Sequence, residues 1–327
     1  MEDEGSLRLL TKVARLYHVH GQRQMDIAAR LGISQSRVSR LLQQAEESRV
    51  IRTVVSVPEH THADLERALV EQYGLESAYV VESAGEGEGE VLRDLAVAAA
   101  GILSTVSAPV PTIGWLSWSR TLRDMVDALL PLHLGTTTVV ELTGDLGPPE
   151  LQHDAARSTE ILAAMCGADP VFLRAPGVLP DAQVVQDLLR QDSYVQQTLR
   201  LLDRLDIALL GIGALEPSPP ITPGRSFFTA EQLKEVKAAG AVGEVCMRYL
   251  DAEGRPVPSS LDELTIGVTL DQLTNARQRW AVSAGARKHK ALQAALAGGW
   301  VTVLVTDVET AQRLTREGSS RRAGDSA

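Results

Sequence analysis

Residues 28–42 read Ala28-Ala29-Arg30-Leu31-Gly32-Ile33-Ser34-Gln35-Ser36-Arg37-Val38-Ser39-Arg40-Leu41-Leu42. Gly32 can adopt the left-handed backbone that ends a helix, and Ser34 is a natural N-cap for the next one. The stretch therefore predicts helix, tight turn and helix. Upstream, Ile27, Ala28 and Leu31 place one apolar face on a helix over residues 24–31, and Leu10, Val13, Ala14, Leu16 and Tyr17 mark an earlier helix running from Leu7 to Gly21. Downstream, the third helix runs from Gln35 to about Glu47 and turns Val38, Leu41, Leu42 and Ala45 inward. Its other face carries Gln35, Ser36, Arg37, Ser39, Arg40, Gln43 and Gln44. Arg37 stands where a capping box would place Glu or Gln, so that local stabilisation is not used.

This is helix-turn-helix spacing, in which the second helix enters the major groove of DNA. Arginine offers a bidentate fork to guanine and glutamine one to adenine, while serines and helix N-terminal N–H groups hold phosphates. The expected DNA-contacting residues are Gln24, Ser34, Gln35, Ser36, Arg37, Ser39, Arg40 and Gln43, and the expected partner is a double-stranded operator. Charge agrees with that reading. Residues 7–58 carry nine basic side chains against three acids, a net +6, so the rest of a chain of net charge −10 carries −16.

The 327 residues, 44% hydrophobic and 23% charged, suit a small head on one larger packed body. No apolar run is long enough to cross a bilayer, and the acidic start Met1-Glu2-Asp3-Glu4 is unlike a secretion signal, so a cytosolic location without membrane contact is expected. Cys166 and Cys246 lie far apart without neighbouring histidines, so neither a disulfide framework nor a metal site is expected.

Residues 54–58 read as a strand and 59–62 as a polar joint, which sets the expected domains at 1–58, 59–317 and a disordered tail over 318–327. Beyond the joint, helices at 63–73, 121–130, 153–166, 182–189, 231–238 and 287–296, with another ending near Leu103, alternate with short apolar strands. The strands are expected at 78–82, 112–116, 137–142, 171–174, 207–211, 265–268, 279–283 and 301–305, with one inserted hairpin turning at 251–254. Such alternation predicts an α/β body with a mainly parallel, Rossmann-like sheet covered on both faces.

Ligands of such sheets bind beyond the carboxyl ends of the strands. Four loops there hold polar or glycine-rich residues. Ser117-Trp118-Ser119-Arg120-Thr121 opens a helix and offers hydroxyls, a guanidinium and N–H groups to an anion. Thr143-Gly144-Asp145 and Gly211-Ile212-Gly213 let backbone approach a ligand closely, and Lys288 stands near the start of a helix after Ala284-Gly285.

Residues 24–52, with Ile27-Ala28, Leu31-Gly32-Ile33-Ser34 and Val38-Ser39-Arg40-Leu41-Leu42, resemble the DNA-binding region of the SorC family of sugar-responsive bacterial transcriptional regulators. The resemblance extends through Ile113-Gly114, Trp118 to Leu122, Ala175-Pro176, Asp206 to Gly213, Gly240 to Glu244, Leu250 to Gly254 and Ala284 to Lys288 to Thr306-Asp307. It implies a sensor domain similar in fold to sugar-phosphate isomerases and deaminases. By that resemblance the Ser/Thr loop and Lys288 take the phosphate or polar end of a sugar, and Glu244 takes sugar hydroxyls. The expected effector-binding residues are Ser117, Ser119, Arg120, Thr121, Gly144, Asp145, Gly211, Gly213, Glu244 and Lys288. Ser119 stands where family members commonly have glycine, and Thr143 where those that bind bisphosphates have arginine, so a doubly phosphorylated ligand is disfavoured. No lysine lies between Lys12 and Lys234, which excludes the central Schiff base of some relatives.

The expected function is a sugar-responsive regulator of carbohydrate genes, a homo-oligomer (dimer or tetramer) on its operator, with a sugar or sugar phosphate as effector, no cofactor and no catalysis. The alternative is an isomerase- or deaminase-like enzyme with a DNA-binding head. It would use Glu244 as a base, but none of the seven histidines falls in the sugar-site motifs and no partner acid is evident.

Overall fold

In a computed structural model of the chain, residues 4–48, 50–51, 62–85, 87–106, 109–217, 221 and 227–324 are described. The chain forms two compact units, 1–55 and 56–327, three residues short of the boundary read from the sequence. The strand expected at 54–58 and the joint at 59–61 lie outside the described residues.

The first unit holds α1 (Glu4–Ala14), which widens into a π-helical turn at Arg15–Val19, then α2 (Gln24–Leu31) and α3 (Gln35–Glu47). Gly32 ends α2 with φ 65°, and the Ser34 side chain accepts the Arg37 N–H at 3.3 Å to begin α3. Leu10, Val13, Leu16, Ile27, Val38, Leu41, Leu42 and Ala45 meet in one core. All seven residues assigned to the outer face of α3 are exposed.

The second unit opens with α4 (Ala63–Tyr73), β1 (Ser77–Val81), α5 (Glu88–Ser104), β2 (Thr112–Trp115) and α6 (Arg120–Ala128). It continues with β3 (Thr138–Glu141), α7 (Pro149–Cys166), β4 (Asp169–Val171), α8 (Ala182–Gln191), α9 (Ser193–Leu201), β5 (Ile207–Leu210) and β6 (Ile212–Ala214). Then come α10 (Ala230–Ala238), β7 (Gly243–Val245), β8 (Arg248–Leu250), α11 (Leu261–Leu264) and α12 (Leu270–Asn275). The last elements are β9 (Gln278–Val282), α13 (His289–Ala297), β10 (Val303–Asp307) and α14 (Val308–Gly324).

Seven strands form one sheet in the order β1-β10-β9-β5-β2-β3-β4, and every pairing in it is parallel. The chain moves outward from β2 to β4, then returns to place β5 on the other side of β2, which makes the β2–β5 boundary the switch point of the sheet. Alternation along β5 divides the core. Ala208 and Leu210 pack with Leu69, Leu292, Ala311 and Leu314 of α4, α13 and α14, whereas Ile207 and Leu209 pack with Leu95, Leu103, Leu122 and Leu162 of α5, α6 and α7. β6, β7 and β8 make a small antiparallel sheet at the carboxyl end of β5.

Several expected boundaries differ from the structure. β4 lies at 169–171 rather than 171–174, with Pro170 tolerated because β4 is an edge strand. Residues 265–268 form no strand: Thr265 bridges Val178 and Gly267 bridges Thr143 as isolated pairs. The final strand is β10 at 303–307 rather than 301–305. Inside the expected hairpin the chain turns earlier, at Cys246 and Met247, both with positive φ, and the 251–254 turn then folds Val257 back to donate its N–H to Tyr249. α9 and α12 were not foreseen, and α14 carries its helical backbone through Gly324, into residues expected to be a disordered tail.

Candidate functional site

The carboxyl ends of β9, β5, β2 and β3 stand side by side, so the loops that follow them share one edge of the sheet. At the β2 end, Ser119 N-caps α6 by accepting the Leu122 N–H, so its hydroxyl is engaged in ending the loop. Thr121 is buried in the first turn and Arg120 is exposed. Arg123, one turn on, donates from Nη1 to the Ser117 carbonyl at 2.9 Å. Ser117 is 1% exposed, and its hydroxyl has no hydrogen-bond partner. Thr143 after β3 and Ser283 after β9 share that condition. Leaving a buried hydroxyl unpaired costs about 1–3 kcal/mol, so three at one sheet edge mark a place for polar guests.

Two of the expected glycines serve the chain itself. A Cβ on Gly144 would lie 2.4 Å from the Ala175 carbonyl oxygen, and one on Gly211 would lie 2.0 Å from Leu116 Cδ2. Their smallness lets the 144–145 and 175–177 backbones touch and lets β5 end against β2. Asp145 belongs to the same backbone clasp, donating its N–H to Ala175 at 2.7 Å and accepting that of Gly177 at 2.7 Å. Burial lifts its carboxyl above the usual range, against the pull of Arg174.

Gly213, Glu244 and Lys288 are brought together. Gly213 on β6 pairs with Glu244 on β7, and a Cβ at Gly213 would lie 1.8 Å from Glu244 Oε1, so only glycine leaves room for that carboxylate. Glu244 Oε2 accepts the Met247 N–H from the tight turn. Burial pushes the Glu244 carboxyl up to about 7, with the Met247 N–H and the Lys288 charge opposing. Lys288 immediately precedes α13, and burial lowers its affinity for a proton while Glu244 raises it. The small sheet is tied to the end of β5 by the Cys246 N–H, which donates to the Gly211 carbonyl at 3.1 Å. The expected residues thus divide into an α6 end (Ser117, Ser119, Arg120, Thr121), a β3 clasp (Gly144, Asp145) and a carboxylate–ammonium end (Gly213, Glu244, Lys288), with Gly211 between the first and last.

Arg123 and Ser283 were not among the expected residues, although Arg123 lies one helical turn from Arg120 and could have been found from that spacing. Among the described residues no cluster of His, Cys, Asp and Glu has the arrangement of a metal site.

In the first unit, Gln35, Ser36, Arg37, Ser39, Arg40 and Gln43 form one continuous exposed surface on α3, with Ser34 at its start and Gln24 at the start of α2. Arg40 is tied to its own helix, from Nε to the Ser36 carbonyl at 3.4 Å.

The sugar-binding domain family Sugar-bind matches residues 58–316. The sorbitol operon regulator of Klebsiella pneumoniae is 29% identical over 322 residues, spanning 97% of this chain and 100% of the relative. The deoxyribonucleoside regulator of Bacillus subtilis is 28% identical over 315 residues, spanning 96% and 99%. The crystal structure of the full-length Klebsiella sorbitol operon regulator superposes with a TM-score of 0.68 at 27% identity, covering 95% of this chain and 100% of that one.

Proposed function

The chain belongs to the SorC family of sugar-responsive transcriptional regulators, and we propose that a sugar or sugar phosphate held at the carboxyl edge of its sheet controls how α3 engages a duplex operator. The observation that carries this is the meeting of Gly213, Glu244 and Lys288 at the end of β5, in a chain whose first unit presents a helix-turn-helix face. A carboxyl accepts or donates to hydroxyls and an ammonium donates to them, while the α6 end suits an anion. Gln24, Ser34, Gln35, Ser36, Arg37, Ser39, Arg40 and Gln43 take the DNA. Ser117, Ser119, Arg120, Thr121, Gly144, Asp145, Gly211, Gly213, Glu244 and Lys288 form or brace the effector site.

We read the protein as a cytoplasmic homo-oligomer that meets a two-fold operator, and as a sensor rather than an enzyme: Glu244 is anchored by a backbone N–H and faces an ammonium, an arrangement that holds hydroxyls in place. The effector shifts the operator-competent population only by the difference in its affinity for the two states, about 1–3 kcal/mol in typical cases. The experiment is thermal unfolding of the full chain against paired free and phosphorylated sugars, with Lys288→Ala and Thr121→Ala alongside, followed by operator binding with any hit. A stabilising sugar that loses its effect in both variants and changes operator affinity supports the reading. Absence of any stabilising sugar would sink it.

A further inference from the structure

Arg123 stands one turn into α6, the helix that opens from the loop after β2. Its Nη1 reaches back to the Ser117 carbonyl at 2.9 Å, and that is its only hydrogen bond among the described residues. The side chain is half-buried. Burial disfavours its charge and Arg120 repels it, while Asp124 and Asp127 on its own helix and Asp154 on α7 support it; none of these carboxylates forms an ion pair with it among the described residues. A guanidinium carries five N–H groups in a fixed fork, so most of this one has no protein partner. Charges drawn out of water are normally paired, and a half-buried guanidinium held at a loop without a carboxylate marks the place of an anion.

A second group on the same loop points the same way. Ser117 is 1% exposed, and its hydroxyl has no partner although its carbonyl is held by Arg123. The first turn of α6 adds N–H groups that no helical carbonyl can take. We infer that Arg123 is a further effector-binding residue, the fork that takes a phosphoryl group of the effector at the start of α6 and so separates a phosphorylated sugar from its free counterpart. This rests on the effector occupying the carboxyl edge as argued above. The fork can donate to two phosphate oxygens at once, and the Ser117 hydroxyl can donate to another. Arg120 carries the same charge but is exposed, where water and salt weaken any contact it makes. Lys288 keeps the part that the family resemblance gives it; Arg123 adds a planar, two-pronged contact to that single ammonium.

The test uses the full chain and two matched probe pairs, D-sorbitol with sorbitol 6-phosphate and 2-deoxyribose with 2-deoxyribose 5-phosphate. Calorimetry compares wild type with Arg123→Ala, Arg123→Lys, Arg120→Ala and Lys288→Ala. In the pair that binds, wild type should prefer the phosphorylated member. Arg123→Ala should weaken that member by about tenfold to a hundredfold, the size of a lost hydrogen bond to a charged group, and leave the free sugar within about twofold. Arg123→Lys, which keeps the charge without the fork, should show a smaller preference than wild type, and Arg120→Ala should keep the full one. Four results overturn the inference while Lys288→Ala still weakens binding and the site reading stands: no phosphate preference in wild type, a preference undiminished in Arg123→Ala or Arg123→Lys, a preference lost in Arg120→Ala, or equal weakening of both members by Arg123→Ala. The last would mean that Arg123 only holds the Ser117 carbonyl. Binding that neither Lys288→Ala nor Arg123→Ala affects, or no binding of any of the four probes, would overturn the site reading and the inference with it.

Discussion

His289 Nε2 lies 2.8 Å from Glu317 Oε2, which joins the first residue of α13 to the C-terminal helix α14. The same carboxylate accepts from Gln293 Nε2 at 3.0 Å and from Arg313 Nε at 3.0 Å. His289 is buried and follows Lys288 directly, so Glu317 fixes the end of the helix that presents the ammonium. α14 is in turn held to α4, whose Gln72 Nε2 and Tyr73 hydroxyl both donate to the Leu314 carbonyl, at 2.9 and 3.1 Å.

Removing that carboxylate takes away the partner of the buried His289 imidazole and one acceptor of the Gln293 amide. Glu317→Ala is expected to lower stability by about 1–3 kcal/mol, and Glu317→Gln, which keeps one acceptor oxygen, by less. The carboxyl is held below its usual range, chiefly by the His289 hydrogen bond. A depressed acid contributes stability that is present at neutral pH and lost as pH falls through the carboxylate range. Urea unfolding of the three proteins at pH 7 and pH 4 checks both statements; equal midpoints at pH 7 would show that the junction contributes nothing.

Glu244 gives the opposite sign. Its carboxyl is raised to about 7 by burial, so between the ordinary carboxylate range and pH 7 the folded chain binds a proton that the unfolded chain has lost. That contribution is complete below the unfolded value and disappears as pH rises through the folded one. Glu244→Gln cannot ionise, so relative to wild type it is expected to gain stability between pH 5 and pH 8, by at most about 3 kcal/mol. Parallel pH dependences for wild type and variant would refute a perturbed Glu244.

Two glycines with similar backbone angles should respond very differently to alanine. Gly21 has φ +62° with no atom within 4 Å of a Cβ, so Gly21→Ala costs about 1 kcal/mol of backbone strain. Gly254 has φ +77°, and a Cβ there would lie 2.2 Å from the Ala294 carbonyl oxygen and 2.4 Å from the Gly298 nitrogen. The Gly254 carbonyl also receives the Trp300 indole N–H at 2.6 Å. Gly254→Ala must therefore separate the 251–254 turn from the end of α13, and is expected to cost several times as much as Gly21→Ala. Thermal unfolding of the two variants compares them directly; equal shifts would mean that the turn moves freely.

These contrasts track what could be read from residue order. α2 and α3 were legible to the residue because Gly32 and Ser34 punctuate them and the period of Val38, Leu41, Leu42 and Ala45 is purely local. Parallel strands such as β2 and β5 were legible because both faces are covered, which makes each a short apolar run. Residues 265–268 have the same composition, yet they cross the β3 and β4 loops with isolated bridges to Thr143 and Val178, and composition cannot distinguish a bridge from a ladder. The turn at Cys246 and Met247 carries no glycine or asparagine, so its positive φ values had no sequence signal. Glu244 and Lys288 were expected from the family resemblance, whereas the unpartnered Ser283 hydroxyl was passed over because its burial is a product of the fold alone.

The proposed DNA-binding face can be separated from its scaffold by two substitutions, one at the N-cap of α3 and one on α3 itself. The Ser34 side chain accepts the Arg37 N–H, so Ser34→Ala removes an N-cap and is expected to cost the first unit about 1 kcal/mol. Arg40 is exposed and, among the described residues, bonds only to its own helix at Ser36, so Arg40→Ala is expected to leave unfolding within about 0.5 kcal/mol of wild type. On an operator duplex selected from random sequence, Arg40→Ala should weaken binding. If the guanidinium meets a phosphate, the loss is uniform across sequences and the salt dependence of log K falls by about one unit; if it meets a guanine edge, discrimination at one base pair falls by about 1–3 kcal/mol. Unaltered affinity and salt slope in Arg40→Ala would remove that residue from the interface, and with it the orientation of α3 argued from its exposed face.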